Sequence, residues 1–309
     1  MELFLPSKKW NKEYIFARNQ GTGYSDNIHQ EKCMAANGMG GWSGLCPTQE
    51  LVDAYEMANG STPIIGYNAD GTPIINGASG YSETGFAATA GKHYPAGVYN
   101  MYVGREPRFY ASINFNGQQW RGRQLEFWQG GKDGINVSKV DYCCTGYLLR
   151  KTADEGVDVI NGKGGMKEAS ILFRVGSLYL DYAEALNEAE GPVDDVYKYV
   201  DAIRKRAGLP GLAKGLDKDK MRERIQHERQ IELAFEAGHR YFDCHRWKIA
   251  EKTDNGYMHG MNITATNKVD YSKRSTVGDS RVFEKKHYLF PIPQSEMDKR
   301  IGLVQSPYW

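Results

Sequence analysis

The amino-acid sequence predicts a mainly α-helical protein that also contains a large loop-rich region with short β-hairpins. Apolar residues recur at helical spacing between residues 167 and 250, which indicates helices with one buried face. The preceding region differs, because 25 of the 35 glycines lie at or before residue 165 and four of the six tryptophans lie before residue 130. We therefore expect one domain over residues 1–309, with a loop-rich, aromatic region at 1–166, a helical core at 167–250 and an irregular tail at 251–309.

Short strands and one helix are expected in the loop-rich region. Alternating apolar and polar residues, or short apolar runs between turn residues, predict the strands. These strands lie within residues 13–18, 71–80 and 146–151. A helix is expected within 47–60, where Thr48 can cap it. The alternation at 108–120, with Asn116-Gly117 near its end, predicts a β-hairpin.

Two consecutive helices open the helical core. The first is predicted at 169–190 as one long helix that is apolar on most sides and should be largely buried. Gly191-Pro192 ends it. The second helix, within 193–211, carries a single apolar stripe. Because the connection between them is short, we expect an antiparallel pair.

A third helix is expected to begin near Asp217 and to break near Gly238, because glycine inside a helix costs about 1 kcal/mol relative to alanine. The first piece should span about 217–237, and a second should run from Tyr241 to about Ala250. Aromatic residues interleave with the charges of this stretch. We therefore expect Phe235 and Trp247 to be mostly buried.

Composition excludes several classes of protein. A formal net charge of +1 argues against nucleic-acid binding, which needs clustered excess lysine and arginine. No apolar run approaches the roughly 18 residues that span a bilayer. The five cysteines lack the spacing of a zinc site or a disulfide framework, so we expect free thiols and no metal. The glycine-rich "GMGGWSG" follows no hydrophobic strand, so it does not predict a phosphate loop, and no cofactor is expected.

The stretch "ERQIELAFEAGHRYFDCHRWK" at 228–248 allows two interpretations. Glu228, Glu232 and Glu236 are spaced four apart, so they lie on one helix face and repel one another unless cations lie opposite. Two of them could form a catalytic acid/base pair, as in a glycosidase. Carboxylates on one straight helix cannot easily flank a substrate bond, however. We therefore predict that Glu232 and Glu236 are structural and paired with arginines or backbone N–H groups.

This stretch also resembles the C-terminal signature of the SusD/RagB family of outer-membrane nutrient-binding lipoproteins. Further motifs resemble that family in its order, over residues 13 to 309. They are "PTQELVDAYE", "EPRFYASINFNG", "TGYLLRK", "YLDYAEALNEAEGP", "AIRKRAGLP" and "YLFPIPQSEMD". The chain departs from the family pattern at Cys244 and His245, where Leu and Arg are more common, and at Glu106, where Asp is usual.

The resemblance implies a fold and a function. It implies that the helix pair is of the tetratricopeptide type, and that the chain corresponds to the C-terminal part of a family member, without the lipid-modified cysteine and the earlier helix pairs. It also implies a non-catalytic protein at the surface of the outer membrane. Such a protein captures oligosaccharides or other oligomeric nutrients and delivers them to a SusC-like TonB-dependent transporter. Two alternatives remain open, a glycoside hydrolase or lyase on a helical scaffold and a pure transporter-docking subunit.

Aromatic residues in the glycine-rich loops are the candidates for ligand binding. Sugar rings present C–H faces that stack on aromatic rings, while amide and guanidinium groups hydrogen-bond the hydroxyls. We expect the ligand contacts to come from Trp42, Tyr81, Tyr94, Trp120, Trp128, Gln119 and Arg121. The same tryptophans could instead anchor loops to the core, because aromatic side chains bury large areas.

Overall fold

A computed structural model describes residues 12–19, 24–135, 140–163, 169–236 and 238–309. In these ranges the helices are α1 (Tyr24–Met34), α2 (Gln49–Ala54), α3 (Pro107–Ser112), α4 (Val175–Glu190), α5 (Asp194–Arg206), α6 (Lys218–Glu232), α7 (His239–Arg246), α8 (Ala250–Thr253), α9 (Lys268–Tyr271) and α10 (Gln294–Met297). None of these helices combines the length and the apolar character needed to cross a bilayer.

The strands of the described ranges form five separate antiparallel pairs. The strands are β1 (Tyr14–Asn19), β2 (Ile64–Tyr67), β3 (Pro73–Ile75), β4 (Ile113–Phe115), β5 (Gln119–Trp120), β6 (Arg123–Gln124), β7 (Tyr147–Leu149), β8 (Ala169–Arg174), β9 (Gly256–Met261) and β10 (Arg274–Arg281). The pairs are β1–β8, β2–β3, β4–β7, β5–β6 and β9–β10. The predicted mainly helical fold with short hairpins is therefore confirmed.

The helix pair α4–α5 packs against α6 around a small apolar core. Ala183 of α4, Val196 and Val200 of α5, and Met221 and Ile225 of α6 are fully buried there. The predicted stripe of the second helix faces this core, because apolar residues three and four apart share one face of a helix. The two helices follow each other directly after Gly191, whose φ of 86° ends α4.

The long first helix was predicted wrongly at its beginning. Residues Ala169–Arg174 form β8 and pair with β1, so that Ile171 lies opposite Ala17. The backbone of Arg174 is extended, and its N–H donates to Ser177 Oγ at 3.3 Å, so that the helix begins at Val175. An apolar run of this length fits either a strand or a helix, and the partner strand decides which one forms.

The loop-rich region folds over a large aromatic core. Tyr102, Phe109, Phe115 and Tyr147 are at most 1% exposed, and Tyr102 packs on Phe115 with ring centroids 4.4 Å apart. These rings come from four separate segments, so burial of aromatic area joins loops that have little secondary structure of their own.

Three local predictions in and after the loop-rich region are corrected. The helix after Thr48 ends at Ala54 instead of continuing to residue 60. The alternating segment at 108–120 begins as α3, and β4 pairs with the distant β7 instead of forming a hairpin at Asn116-Gly117. The tail from residue 251, predicted to be irregular, contains the hairpin β9–β10.

A hairpin does form a few residues after the predicted one, between β5 and β6. Its two turn residues, Arg121 and Gly122, have φ of 46° and 83°. A two-residue turn with positive φ at both positions matches the twist of antiparallel strands. The sequence favoured Asn116-Gly117, but only the pairing partner of each strand decides which turn closes a hairpin.

The predicted break in the third helix is confirmed. Helix α6 ends at Glu232, earlier than the expected 237, and α7 begins directly after Gly238, whose φ is 74°. The ammonium group of Lys151 donates to the carbonyl oxygens of Glu232 and Ala234 at 2.8 and 3.1 Å. These side-chain bonds satisfy carbonyls that another helical turn would otherwise use.

The two aromatic residues of this stretch are half-buried. Phe235 packs against the aromatic core, and the indole N–H of Trp247 donates to Glu184 Oε1 at 2.7 Å. Both rings therefore contact the protein on one side, and neither is as fully enclosed as the sequence suggested.

Glu232 and Glu236 are confirmed as paired residues. Arg174 donates to Glu232 Oε1 at 2.8 Å and to both carboxylate oxygens of Glu236 at 2.8 Å. Arg206 donates to Glu232 at 2.6 Å, and Lys151 donates to Glu236 at 2.6 Å. Both carboxylates are buried, so these cations replace the water that the charges lose on folding.

The same network extends to neighbouring carboxylates. Glu228 accepts from Arg108 at 2.6 Å and from Arg204 at 3.1 Å. Arg204 also donates to Glu56 at 2.9 Å, and Arg108 to Glu106 at 2.7 Å. We call the acidic and basic residues of this connected set the buried ion network. Its acidic members are Glu13, Glu56, Glu106, Glu228, Glu232 and Glu236, and its basic members are Arg108, Lys151, Arg174, Arg204, Arg206 and Arg224.

The substitution Glu232→Gln should lower the free energy of unfolding by about 3 kcal/mol, because it leaves the buried guanidinium of Arg174 and its neighbours short of one negative charge. Urea unfolding followed by circular dichroism measures this change. Glu223→Gln, an exposed position on the same helix, is the control and should stay within about 0.5 kcal/mol of the wild type. Equal stability of the two variants would contradict a structural role for Glu232.

Stability should also fall in acid. Burial raises the pKa of Glu232, but Arg174, Arg206 and Arg108 outweigh it and hold that pKa far below its usual range. The pKa of Glu236 is likewise lowered, because Lys151 and Arg174 outweigh burial. A lowered folded-state pKa gives stability that is complete above the unfolded value near 4.3 and is lost as the pH falls further.

Urea unfolding between pH 7 and pH 3 should therefore show a decline that begins near pH 5. The decline should be shallower in Glu232→Gln, which lacks one of the titrating groups. An unfolding free energy that stays constant from pH 7 to pH 3 would contradict this expectation.

Candidate ligand-binding cavity

A cavity of about 470 Å³ opens between the loop at 91–95 and helix α3. This volume lies in the usual range of small-ligand sites. Its side-chain lining includes aromatic, amide and basic groups. These are Lys92, His93, Tyr94, Tyr110, Gln118, Gln119 and Arg150.

The aromatic wall of the cavity is built on Tyr110. The phenol of Tyr110 donates to the Tyr102 carbonyl at 2.6 Å and accepts the N–H of Arg105 at 3.2 Å, which fixes its ring. The rings of His93 and Tyr94 lie nearly parallel to it, at 5.1 and 6.1 Å between centroids. The loop therefore presents two flat rings beside the cavity.

Tyr94 is held in place by a close approach to Gly91. The N–H of Gly91 donates to the Tyr94 carbonyl at 2.9 Å and closes the turn. A Cβ atom at position 91 would lie 2.4 Å from the ring carbon Cζ of Tyr94. Glycine is needed here because the tyrosine ring occupies the space of a side chain.

Gln118 and Gln119 supply the amide groups. The Oε1 atom of Gln118 accepts the N–H of Phe115 at 3.2 Å, whereas its Nε2 atom has no hydrogen-bond partner among the described residues. Gln119, the first residue of β5, is exposed. Gln118 is therefore fixed through its acceptor, and its donor is unused.

Arg150 follows the buried strand β7 and is fixed on two sides. Its guanidinium carbon lies 4.8 Å from the ring centroid of Trp120, and Nη1 donates to the Tyr110 carbonyl at 2.9 Å. Its Nε atom has no hydrogen-bond partner among the described residues. Burial lowers the pKa of Arg150, although a guanidinium stays charged at neutral pH.

Of the ionisable side chains that line this cavity, His93 is the one whose ordinary pKa lies closest to pH 7. Burial lowers its pKa, and the positive charges of Lys92 and Arg150 lower it further. The imidazole is therefore neutral at pH 7 and acts as a flat ring with one donor and one acceptor.

Two of the residues expected from sequence, Tyr94 and Gln119, line this cavity together. Trp42 lies elsewhere, 38% exposed, with one face stacked on His29 at 5.4 Å between centroids. Trp128 is half-buried, and the ammonium group of Lys268 lies 5.3 Å from its ring centroid. The expected aromatic residues therefore do not form a single platform.

Three expected residues have structural roles instead. Trp120 and Tyr81 are 1% and 6% exposed, so neither ring has a free face for a sugar. The high glycine content of the surrounding sequence did not reveal that both rings are buried. Arg121 donates to Glu31 at 3.1 Å and to the Asp154 carbonyl at 2.7 Å, and it fixes the hairpin turn to α1.

Sequence reasoning missed His93, Tyr110 and Arg150. His93 lies in the "GKHYPAG" loop beside Tyr94 and could have been found there. One feature of the sequence could have pointed to Arg150 as a cavity residue. It is a basic residue that directly follows the apolar strand "YLL", at the point where the chain leaves the core. Tyr110 lay in a segment predicted as a strand, and its place beside the loop could not be read from that pattern.

Other cavities of the described residues have a different character. One of about 320 Å³ lies on the other side of Pro107 and Ala111 and is lined by members of the buried ion network. Another, of about 500 Å³, lies between α2 and the C-terminal hairpin and contains charges of both signs. Among the described residues, no cluster of histidine, cysteine, aspartate or glutamate could hold a metal ion.

Comparison with known proteins identifies the class of protein. The model of the SusD family matches residues 8–309, so the chain belongs to the SusD family. The resemblance of its motifs is thereby confirmed. Two curated relatives come from Formosa agariphila. SusD-like protein P25 is 42% identical over 82 residues, which cover 26% of this chain and 15% of the relative. SusD-like protein P2 is 29% identical over 154 residues, which cover 46% of this chain and 26% of the relative.

Solved structures agree with this family. A SusD-like protein from Bacteroides fragilis is 29% identical, with a TM-score of 0.72, and the match covers 99% of this chain and 56% of that chain. A SusD-like carbohydrate binding protein from the same organism has a TM-score of 0.69 at 23% identity, over 93% of this chain and 53% of that chain, and shares the fold. The chain thus spans about half the length of these solved relatives.

The substitution Gly91→Ala should displace the ring of Tyr94 without unfolding the protein, because the new Cβ atom would overlap the ring and the loop lies at the surface. We expect a loss of at most about 1 kcal/mol in unfolding free energy. A crystal structure of the variant checks the ring position. Gly77→Ala is the control, since a Cβ atom there meets no neighbour within 4 Å. An unmoved Tyr94 ring in Gly91→Ala would refute the proposed packing.

Proposed function

We propose that the chain forms part of a non-catalytic glycan-binding protein, and that the cavity beside Tyr94 is a ligand site. The observation that carries this proposal is the combination of flat rings with polar side chains in one lining. The rings of His93 and Tyr94 line the same cavity as the amide groups of Gln118 and Gln119 and the guanidinium of Arg150. Saccharides match such a surface, because their C–H faces stack on rings and their hydroxyls accept hydrogen bonds.

The charged side chains that line the cavity fit a binding site and not the active site of a glycoside hydrolase. Glycoside hydrolysis ordinarily needs two carboxyl groups on opposite sides of the scissile bond. No carboxylate is among the residues that line this cavity in the described part of the chain. Glu228, Glu232 and Glu236, the acidic residues first considered for catalysis, accept hydrogen bonds from arginines or lysine in the buried ion network.

The wider role proposed for the protein follows from family membership. We place it at the outer face of the outer membrane, held by an N-terminal lipid anchor, where it delivers oligosaccharides to a SusC-like TonB-dependent transporter. No nucleic acid is proposed as a partner, since the net charge is +1. A protein that takes part in uptake must also release its ligand, which agrees with a shallow site and moderate affinity.

Within this proposal the ligand contacts are unequal. Tyr94 and Gln119 are primary contacts because they line the cavity. Trp42 and Trp128 are proposed only as secondary contacts for a longer oligosaccharide, since neither lines it. Tyr81, Trp120 and Arg121 are left out because their side chains are engaged within the protein.

Isothermal titration with a panel of neutral and acidic oligosaccharides should give dissociation constants between about 1 μM and 1 mM, which correspond to roughly −8 to −4 kcal/mol. Tyr94→Ala and Gln119→Ala should weaken binding, because they remove the stacking face and an amide. Tyr182→Ala, which removes a half-exposed ring from α4, is the control and should bind as the wild type does.

Two results would contradict the proposal. Unchanged affinity in Tyr94→Ala, with binding retained by the wild type, would place the site elsewhere. Steady release of reducing ends from any oligosaccharide of the panel would show a glycoside hydrolase, and it would remove the non-catalytic assignment.

A further inference from the structure

The ligand-binding cavity carries a positive charge that its own lining does not balance. Lys92 and Arg150 are cationic, and the described lining contains neither aspartate nor glutamate. Lys92 is exposed, so solvent and salt screen its charge. Arg150 is partly buried and therefore dominates the electrostatic potential inside the cavity.

The guanidinium of Arg150 lacks a close anionic partner among the described residues. Glu155 acts on it electrostatically only from beyond ion-pair distance, and one oxygen of that carboxylate accepts the backbone N–H of Arg121 at 3.0 Å. The Nε atom of Arg150 is buried and has no hydrogen-bond partner among the described residues. Its remaining contacts, the Trp120 ring and the Tyr110 carbonyl, are polarisable or dipolar but carry no net charge.

The adjacent cavity provides an internal comparison. It is lined by three cations, Arg108, Lys151 and Arg206, and each of them pairs with a glutamate at 2.6 Å. Arg105, which is 1% exposed, is held in a different way, since it donates to the carbonyl oxygens of Val52, Tyr55 and Met101. Arg150, on the other side of Pro107 and Ala111, differs from all four because it lines a cavity without acidic residues and donates to a single carbonyl among the described residues.

A partly buried cation without a counterion costs free energy, because it loses hydration and gains no pairing. The protein holds Arg150 in this position nonetheless, between a tryptophan ring and a backbone carbonyl. A ligand that brings a negative charge would offset this cost more fully than a neutral ligand, whose hydroxyls supply hydrogen bonds but no counter-charge.

We propose that the cavity binds a saccharide that carries an anionic group, a carboxylate or a sulfate ester, and that Arg150 receives this group. The inference rests on the glycan-binding function proposed above and specifies the chemical class of its ligand. Gln119, an exposed residue of the same lining, supplies an amide group in this cavity. His93 and Tyr94 then contact the sugar ring that bears the anion.

The experiment compares matched pairs of oligosaccharides by titration calorimetry at low salt and at 0.5 M NaCl. One set contains oligouronates and the same oligomers after their carboxyl groups have been reduced to alcohols. The other contains sulfated galacto-oligosaccharides and their desulfated forms. We expect the anionic member of a pair to bind about ten-fold more tightly or better, with a preference that shrinks at high salt. The two sets distinguish carboxylate from sulfate.

Variants of the cavity identify the group that causes this preference. Arg150→Gln should abolish the ten-fold difference within a pair, and Arg150→Lys should keep part of it because the charge remains. Lys92→Gln should reduce the preference for the anionic oligosaccharide a few-fold at low salt only. If Arg150→Gln does not fold, Lys92→Gln takes its place in the comparison. Lys198→Gln removes an exposed lysine beside the ring of Tyr199 on α5 and should change nothing.

The outcomes separate this inference from the proposed function. Equal binding of neutral and anionic members, or an anionic preference that survives in Arg150→Gln, would overturn the anionic ligand while leaving glycan binding intact. Failure of every oligosaccharide to bind would reject both. An equal loss in Lys198→Gln would show a general charge effect and would also overturn the role of Arg150.

Discussion

The rest of the structure depends on how the carboxylate of Glu232 is neutralised. Arg108 of α3, Arg174 of β8 and Arg206 of α5 all donate to this one group at the end of α6. Removing these charges from water costs several kcal/mol for each ion, so the network adds little net stability compared with an apolar core. Each arginine has a planar, directional set of donors, however, and three of them can meet one carboxylate only in a narrow range of arrangements. The network therefore fixes the relative positions of three helices and a strand.

Helix α3 connects the buried ion network to the candidate ligand-binding cavity, so the ion pairs that fix the position of α3 also fix one wall of the cavity. Arg108 of this short helix joins the network, whereas Tyr110 lines the cavity and Pro107 and Ala111 lie between the two cavities. Six residues beginning with Pro107 would be a marginal helix alone. Burial of Phe109 and the hydrogen bonds of Tyr110 hold it in place. The position of Tyr110 in the wall of the candidate cavity thus depends on ion pairs that lie outside that cavity.

Sequence reasoning succeeded where local pattern decides structure. The apolar stripe of α5, the break at Gly238 and the pairing of Glu232 all follow from periodicity, backbone freedom or the cost of a buried charge. Sequence reasoning failed where contact with a segment that is distant in the sequence determines the local structure. Residues 169–174 became β8 because β1 lies beside them, and Trp120 became a core residue because other loops cover it. The candidate cavity illustrates both cases, since Tyr94 and Gln119, which were expected from composition, line it together, whereas Arg150 could be placed there only from the fold.

Trp120 supports the proposed binding site through its contact with Arg150, although its own side chain is buried. A tryptophan in a glycine-rich loop is ambiguous from sequence, since stacking on a sugar and anchoring a loop need the same side chain. Here its ring is buried and lies beneath the guanidinium of Arg150, where a cation–π contact is worth about 1 kcal/mol. That contact stabilises the charge less than a carboxylate would, and it leaves the charge unneutralised. An aromatic support therefore leaves the charge available to the anionic ligand that we propose, whereas the glutamates of the buried ion network would have neutralised it.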